Sequence, residues 1–215
     1  MTNFVPIFPL SVVVFPGEQL NLHIFEPRYK QLVRDCFEEK KPFGIPTVLS
    51  EKVGEYGTLV EVSSIVKVYE NDEMDVMTKG VQVFRVLELI RLVPEKLYSG
   101  AIVNYPENQE DGNGTLMRLL VKNIRDLHQL LNVNKKFTKE DLHLSAYDIA
   151  HHVGLSLEEE YEFLQLTREL WRQEYLKRHL GKIIPLLTEM EALKEKIKLN
   201  GHFKTLPGFD LDLGV

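Results

Sequence analysis

Along the first half of the chain, apolar residues come in short runs broken by proline and glycine; along the second half they recur every three or four positions. The first pattern is that of strands joined by turns, the second that of amphipathic helices. Ile7-Phe8-Pro9-Leu10 and Val12-Val13-Val14-Phe15 lead into Pro16-Gly17, a pair that sets up a tight turn. Leu20, Leu22 and Ile24 then alternate with Asn21 and His23, which predicts a strand buried on one face. Pro27 suits the first position of a helix that carries Tyr29, Leu32, Val33, Cys36 and Phe37 on one side, and Gly44 and Pro46 return the chain to extended structure. The β-branched stretch from Thr58 to Tyr69 predicts a strand that turns back at Glu70-Asn71-Asp72-Glu73 into Met74 to Thr78. Lys79-Gly80 predicts a second reversal before Val81, Val83, Phe84, Val86 and Leu87.

The period changes after Pro106 to Gly114, an acidic stretch with few apolar residues that reads as a connecting loop. Leu116, Leu119, Leu120, Ile124, Leu127, Leu130 and Leu131 predict a first helix. Ser145 with Asp148 forms a capping-box start for a second helix ending at Gly154, and Ser156 with Glu159 repeats that signal for a third. Residues 167–199 read as one long helix kinked at Pro185 and closed by Asn200-Gly201. Beyond the kink, Ile183, Met190, Leu193 and Ile197 form a narrow stripe expected to pack within the bundle, a partner surface being the alternative. The predicted organisation is α+β: a β-rich domain with one helix over residues 1–106, a helical bundle over 115–200, and a flexible tail over 201–215.

With 215 residues, 44% hydrophobic and 27% charged, the chain can bury a packed core without staples. A formal net charge of −6 gives no general attraction to phosphate backbones or anionic lipid heads. The basic runs Lys135-Lys136 and Lys194, Lys196, Lys198 are interspersed with acidic residues in the manner of solvated helix faces. Cys36 is the single cysteine, so no intramolecular disulfide forms, and its helical position makes it a small core residue. Met1-Thr2-Asn3 carries no positive charge, prolines 6, 9 and 16 break the apolar stretch that follows, and no run reaches the ~20 apolar residues of a membrane span. A cytoplasmic location without a membrane partner is the expectation.

Catalytic signatures do not emerge. Gly181-Lys182 is followed by Ile183 within a helical pattern and cannot cradle phosphates, and nucleophile-elbow, zinc-helix and Cys-x-x-Cys patterns are absent from the sequence. His151 and His152 are adjacent on a helix, about a hundred degrees apart, and His143 lies across a loop from them, so surface or cap roles are expected in place of a metal site. Glu26 and Arg28 stand at the start of the first helix, where a carboxylate stabilises free amides and a guanidinium bridges neighbouring acceptors. No catalytic residue, metal or cofactor is therefore expected.

Phe8-Pro9-Leu10-Ser11-Val12-Val13-Val14-Phe15-Pro16-Gly17, continuing through Leu22-His23-Ile24-Phe25-Glu26-Pro27-Arg28-Tyr29, resembles the amino-terminal substrate-binding domain of Lon proteases. Gly57-Thr58-Leu59-Val60-Glu61-Val62 and Lys79-Gly80-Val81-Gln82-Val83-Phe84-Arg85-Val86 resemble later strand motifs of that family, in the same order. The resemblance implies a PUA-like β pseudo-barrel followed by an α-helical bundle, and a part in recognising unfolded or damaged polypeptide. Full Lon proteases continue into an ATPase and a Ser-Lys peptidase module, and this sequence stops before either, so the expectation is a non-catalytic module acting as an adaptor or holdase. Its partner would be unfolded polypeptide or one specific protein. Phe15, Phe25, Met74, Met77 and Phe84 are the candidate contacts, since aromatics offer area and methionines adapt to varied ligands. An exposed strand edge taking up an extended peptide is a further route. RNA binding, by analogy with other PUA-like folds, is the alternative, and the acidic balance opposes it.

Overall fold

The computed structural model describes residues 3–203, with side chains described through residue 199. The tail expected over 201–215 lies outside the described residues from 204 onward. Six strands and one helix occupy the first half: β1 (Asn3–Pro6), β2 (Gln19–Ile24), α1 (Pro27–Glu39), β3 (Phe43–Leu49), β4 (Lys52–Val68), β5 (Met74–Ile90) and β6 (Gly100–Asn104). They form one antiparallel sheet in the order β1-β6-β5-β4-β3, with β2 added to β5. The two outer strands then meet: just past β1, Ile7 bridges Gly44 and Leu10 bridges Thr47 in parallel, with Phe8 N donating to Gly44 O at 2.8 Å and Val48 N to Leu10 O at 2.8 Å. This junction closes the sheet into a pseudo-barrel and hides two edges that would otherwise invite pairing with other chains.

The alternation read from β2 is present, with Ile24 fully buried and Asn21 and His23 outward. In α1, Tyr29, Leu32, Val33 and Cys36 face the barrel core, whereas Phe37 stays on the surface. The hairpin between β4 and β5 turns at Glu70–Glu73, where Asp72 takes the left-handed conformation at φ 65°. The second reversal expected at Lys79-Gly80 does not occur. β5 runs unbroken through it, and the ladder slips there, with Leu59 opposite Gln82 and Val60 opposite Gly80. Gly80 instead marks a close approach: Gly17 N donates to its carbonyl and its own N–H to Glu18 O, each at 2.8 Å, and a Cβ there would sit 2.3 Å from Phe15 O.

The helical half comprises α2 (Gly114–Leu130), α3 (Ala146–Ile149), α4 (Leu157–Leu164) and α5 (Glu169–Phe203). Asn113 caps α2 by accepting from Thr115 N and Leu116 N. Ser145 with Asp148 and Ser156 with Glu159 cap α3 and α4 as capping boxes, although α3 passes into a 3₁₀ turn over Ala150–His152 where one continuous helix was expected. α5 runs through Pro185 and past Asn200-Gly201 to Phe203. Its stripe does not pack in the bundle: Ile183 touches the core, but Met190, Leu193 and Ile197 are 48%, 58% and 62% exposed. The helical core also takes in Val13 and Phe15 from the β half, with the Phe15 ring stacked 5.4 Å from Tyr147 and edge-on to Phe163 at 5.5 Å. The two halves therefore share buried surface.

Candidate functional site

Strand pairing along β5 leaves one stretch half-served. β2 pairs with Met74–Lys79, the Gly17 and Glu18 backbone takes up Gly80, and β6 pairs only from Arg85 onward. Between them, Gln82, Val83 and Phe84 pair with β4 on one side, Val81 is bulged out of that ladder, and no other described backbone bonds to these four residues on the other side. The cause is local. β2 cannot begin before the Pro16-Gly17 turn is complete, and β6 stops at Asn104 because Pro106 has no N–H to continue the ladder and restricts Tyr105. The opening is about 13 Å long at the usual strand rise, and antiparallel alternation aims roughly half of its backbone groups away from β4.

A groove of about 460 Å³ lies over this opening. Pro16, Tyr56, Val81, Val83, Tyr105 and Leu166 supply its apolar walls. Its charged lining residues are Glu107 and Glu110, both exposed, and neither pairs with a cation among the described residues. A second cavity of about 520 Å³ adjoins it through Pro16, Asn108, Glu110 and Tyr147 and reaches Lys139, Arg118 and Arg172.

Arg172 holds the wall between the two. It is 1% exposed, and its Nε donates to Glu169 Oε2 at 3.0 Å, while Nη1 donates to Asn108 Oδ1 at 2.9 Å, Tyr147 Oη at 3.2 Å and Leu166 O at 2.7 Å. The guanidinium also lies 4.2 Å from the Tyr147 ring centroid. Glu169 in turn accepts from Ala146 N at 2.7 Å, and Gln109 pairs with the backbone of Thr167 and Glu169. This buried network fixes the 105–112 connection against α3 and α5. Burial pushes the Tyr147 phenol up, and the Arg172 guanidinium pulls the other way.

A second tie crosses the halves at His151, whose Nδ1 is 2.7 Å from Glu160 Oε1 and whose Nε2 is 3.1 Å from Glu18 Oε2. The same Glu18 oxygen accepts from Phe15 N at 2.8 Å. Burial disfavours the charged imidazole, but the bonds to Glu160 and Glu18 outweigh it and push its pKa up to about 9. His151 is thus a charged clasp at neutral pH. His152 turns instead toward Phe137 and His128, with ring centroids 4.9 and 5.4 Å away, and burial lowers its pKa. Among the described residues no three His, Cys, Asp or Glu side chains are grouped to hold a metal ion.

The five expected contact residues are not brought together. Phe15, Met74 and Phe84 are 1%, 0% and 0% exposed, because each points inward from its backbone and fills a core cluster, so they have no surface to offer a ligand. Phe25 is 60% exposed beside His23, and Met77 is half-buried on the outward face of β5. None of the five lines the groove. Glu26 does not cap α1 with its side chain; its carbonyl accepts from Tyr29 N and Lys30 N, and its carboxylate pairs with Arg28 at 2.7 Å on the surface. Burial pushes the Cys36 thiol up to about 12, which leaves it unreactive. Lys194 and Lys198 pair with Glu191 and Glu195 one turn away, as a solvated face does.

Solved Lon amino-terminal domains share this overall fold. A Lon N-terminal domain protein from Xanthomonas campestris is 25% identical, with a TM-score of 0.62 over 82% of this chain and 98% of that one. The N-terminal domain of the Lon protease of the Mycobacterium avium complex, 12% identical, shares the fold with a TM-score of 0.63 over 84% of this chain and 99% of that one. Residues 5–168 match the substrate-binding domain of the ATP-dependent protease La (LON), and the chain belongs to that family of substrate-binding modules. No described helix is long and apolar enough to cross a membrane.

Proposed function

We propose that this chain is a non-catalytic polypeptide-binding module that takes up unfolded or exposed apolar segments, as an adaptor or holdase. The observation that carries the reading is the match of residues 5–168 to the Lon substrate-binding domain. Two structural features support it. The groove at the seam has apolar walls around a backbone edge, a surface that accepts chain segments of many sequences. Leu186, Met190, Leu193 and Ile197 add exposed apolar area on α5, and such area marks binding sites when it is contiguous.

The test is fluorescence anisotropy of a labelled, permanently unfolded protein titrated with this one, with the same protein folded as control and salt varied. Preference for the unfolded form that survives high salt is the expected result, since apolar contacts are not screened. Equal weak binding to both forms, or binding that vanishes with salt, would reject it.

A further inference from the structure

We propose that the occupant of the groove is an extended polypeptide segment that adds as a short strand to Val81–Phe84, with a lysine or arginine beside Glu107 and Glu110. This rests on the polypeptide-binding reading above and specifies its site, its mode and the class of segment preferred.

Three independent observations meet at the same place. The backbone edge is open where β2 has not yet begun and β6 has ended, so an inserted segment would lie in line with strands that already pair with β5 on that side. An extended chain spans the ~13 Å opening with about four residues. Val81 is 45% exposed and Gln82 is exposed beside it, so β5 is reachable from solvent at this point, although its neighbours Gly80 and Phe84 are buried. The walls set the chemistry of the segment. Alternate side chains of an added strand meet Tyr56, Val83, Tyr105 and Leu166, which suits apolar or aromatic residues. The charged residues of the lining are acidic only, so charge complementarity selects a segment with a basic residue and disfavours an acidic one. Polypeptide satisfies all three demands at once: regularly spaced donors and acceptors, apolar side chains and a cation. A nucleic-acid strand would bring phosphates against Glu107 and Glu110.

The experiment alters the ligand, so folding of the protein is not at issue. Labelled peptides of about eight residues, alternating apolar and polar with one terminal lysine, are N-methylated at alternate residues, so that one peptide loses donors along one edge and its partner along the other. Methylation along the edge that faces β5 is expected to weaken binding by at least about tenfold, the loss of two ordinary hydrogen bonds, and methylation along the other edge to leave it nearly unchanged. Replacing lysine by glutamate is expected to weaken binding severalfold, a difference that the Glu107→Gln, Glu110→Gln double variant removes. If both methylated peptides bind as well as the parent peptide while the unfolded protein is still bound, strand addition is wrong and the polypeptide-binding reading stands. If the unfolded protein itself is not preferred over its folded form, both fall together.

Discussion

Replacing Arg172 by methionine isolates the energetic weight of the network that holds the groove wall. Methionine keeps much of the apolar stem but supplies no donor, so Glu169 and the Leu166 carbonyl lose their partner in an interior where Arg172 is 1% and Glu169 7% exposed. Removing one member of a buried ion pair costs about 3–5 kcal/mol, because the remaining charge stays buried. Glu169 still accepts from Ala146 N at 2.7 Å, which places this case at the lower end, about 3 kcal/mol. For a chain of this size that amounts to a fall of about 6–12 °C in Tm. Urea unfolding followed by circular dichroism and thermal melts give the two numbers directly. Adding Glu169→Gln to Arg172→Met is expected to recover about 1–2 kcal/mol, since a neutral amide tolerates burial without a cation better than a carboxylate does. Lysine at 172 should recover little, because it cannot reproduce the planar fork that reaches Glu169, Asn108, Tyr147 and Leu166 together. A Tm within about 2 °C of the parent for Arg172→Met would refute the argument.

Two further predictions concern the seam. The folded pKa of His151, about 9, lies above its ordinary 6.5, so its contribution to stability is complete below about 6.5 and fades as pH rises toward 9. The urea midpoint of the parent should therefore decline across that window, and His151→Gln should flatten the decline; parallel profiles for the two proteins would show that the clasp carries no charge. Gly80→Val places a Cβ where Phe15 O lies 2.3 Å away, and should cost about 1–3 kcal/mol or more by forcing the Phe15–Glu18 loop off β5. A urea midpoint like that of the parent would mean the loop yields freely.

Much of the architecture was legible because it is written locally. The alternation of Leu20, Leu22 and Ile24, the Pro27 start of α1, and the Ser145–Asp148 and Ser156–Glu159 boxes each depend on residues a few positions apart. Period two along β5 also sorts Met74, Val76 and Thr78 inward and Asp75 and Met77 outward, so the burial of Met74 was available to a stricter reading of the alternation. Gly80 is ambiguous in the sequence, because a turn glycine and a close-approach glycine look alike until the partner is known, and that partner is Phe15 from the opposite end of the β half. The stripe on α5 has the spacing of a packed face, but spacing does not say whether a neighbour is there. The groove left almost no trace: it exists because two strands remote in sequence fail to meet along a third, and Pro106 was its one local signal.

The groove walls come from residues near 16, 56, 81–83, 105–110 and 164–167, stretches distributed over most of the chain. Such a surface has high contact order, since none of its walls is in place until distant segments have docked. The open backbone of Val81–Phe84 thus becomes a lined groove only once the end of α4 and the 165–167 connection are in place over the seam. During synthesis the helical half emerges after the β half, so a nascent chain does not carry the finished groove while its own strands are still unpaired. If the groove takes up extended polypeptide as proposed, assembly order in this way separates the chain's own folding from the strand addition it would offer to others.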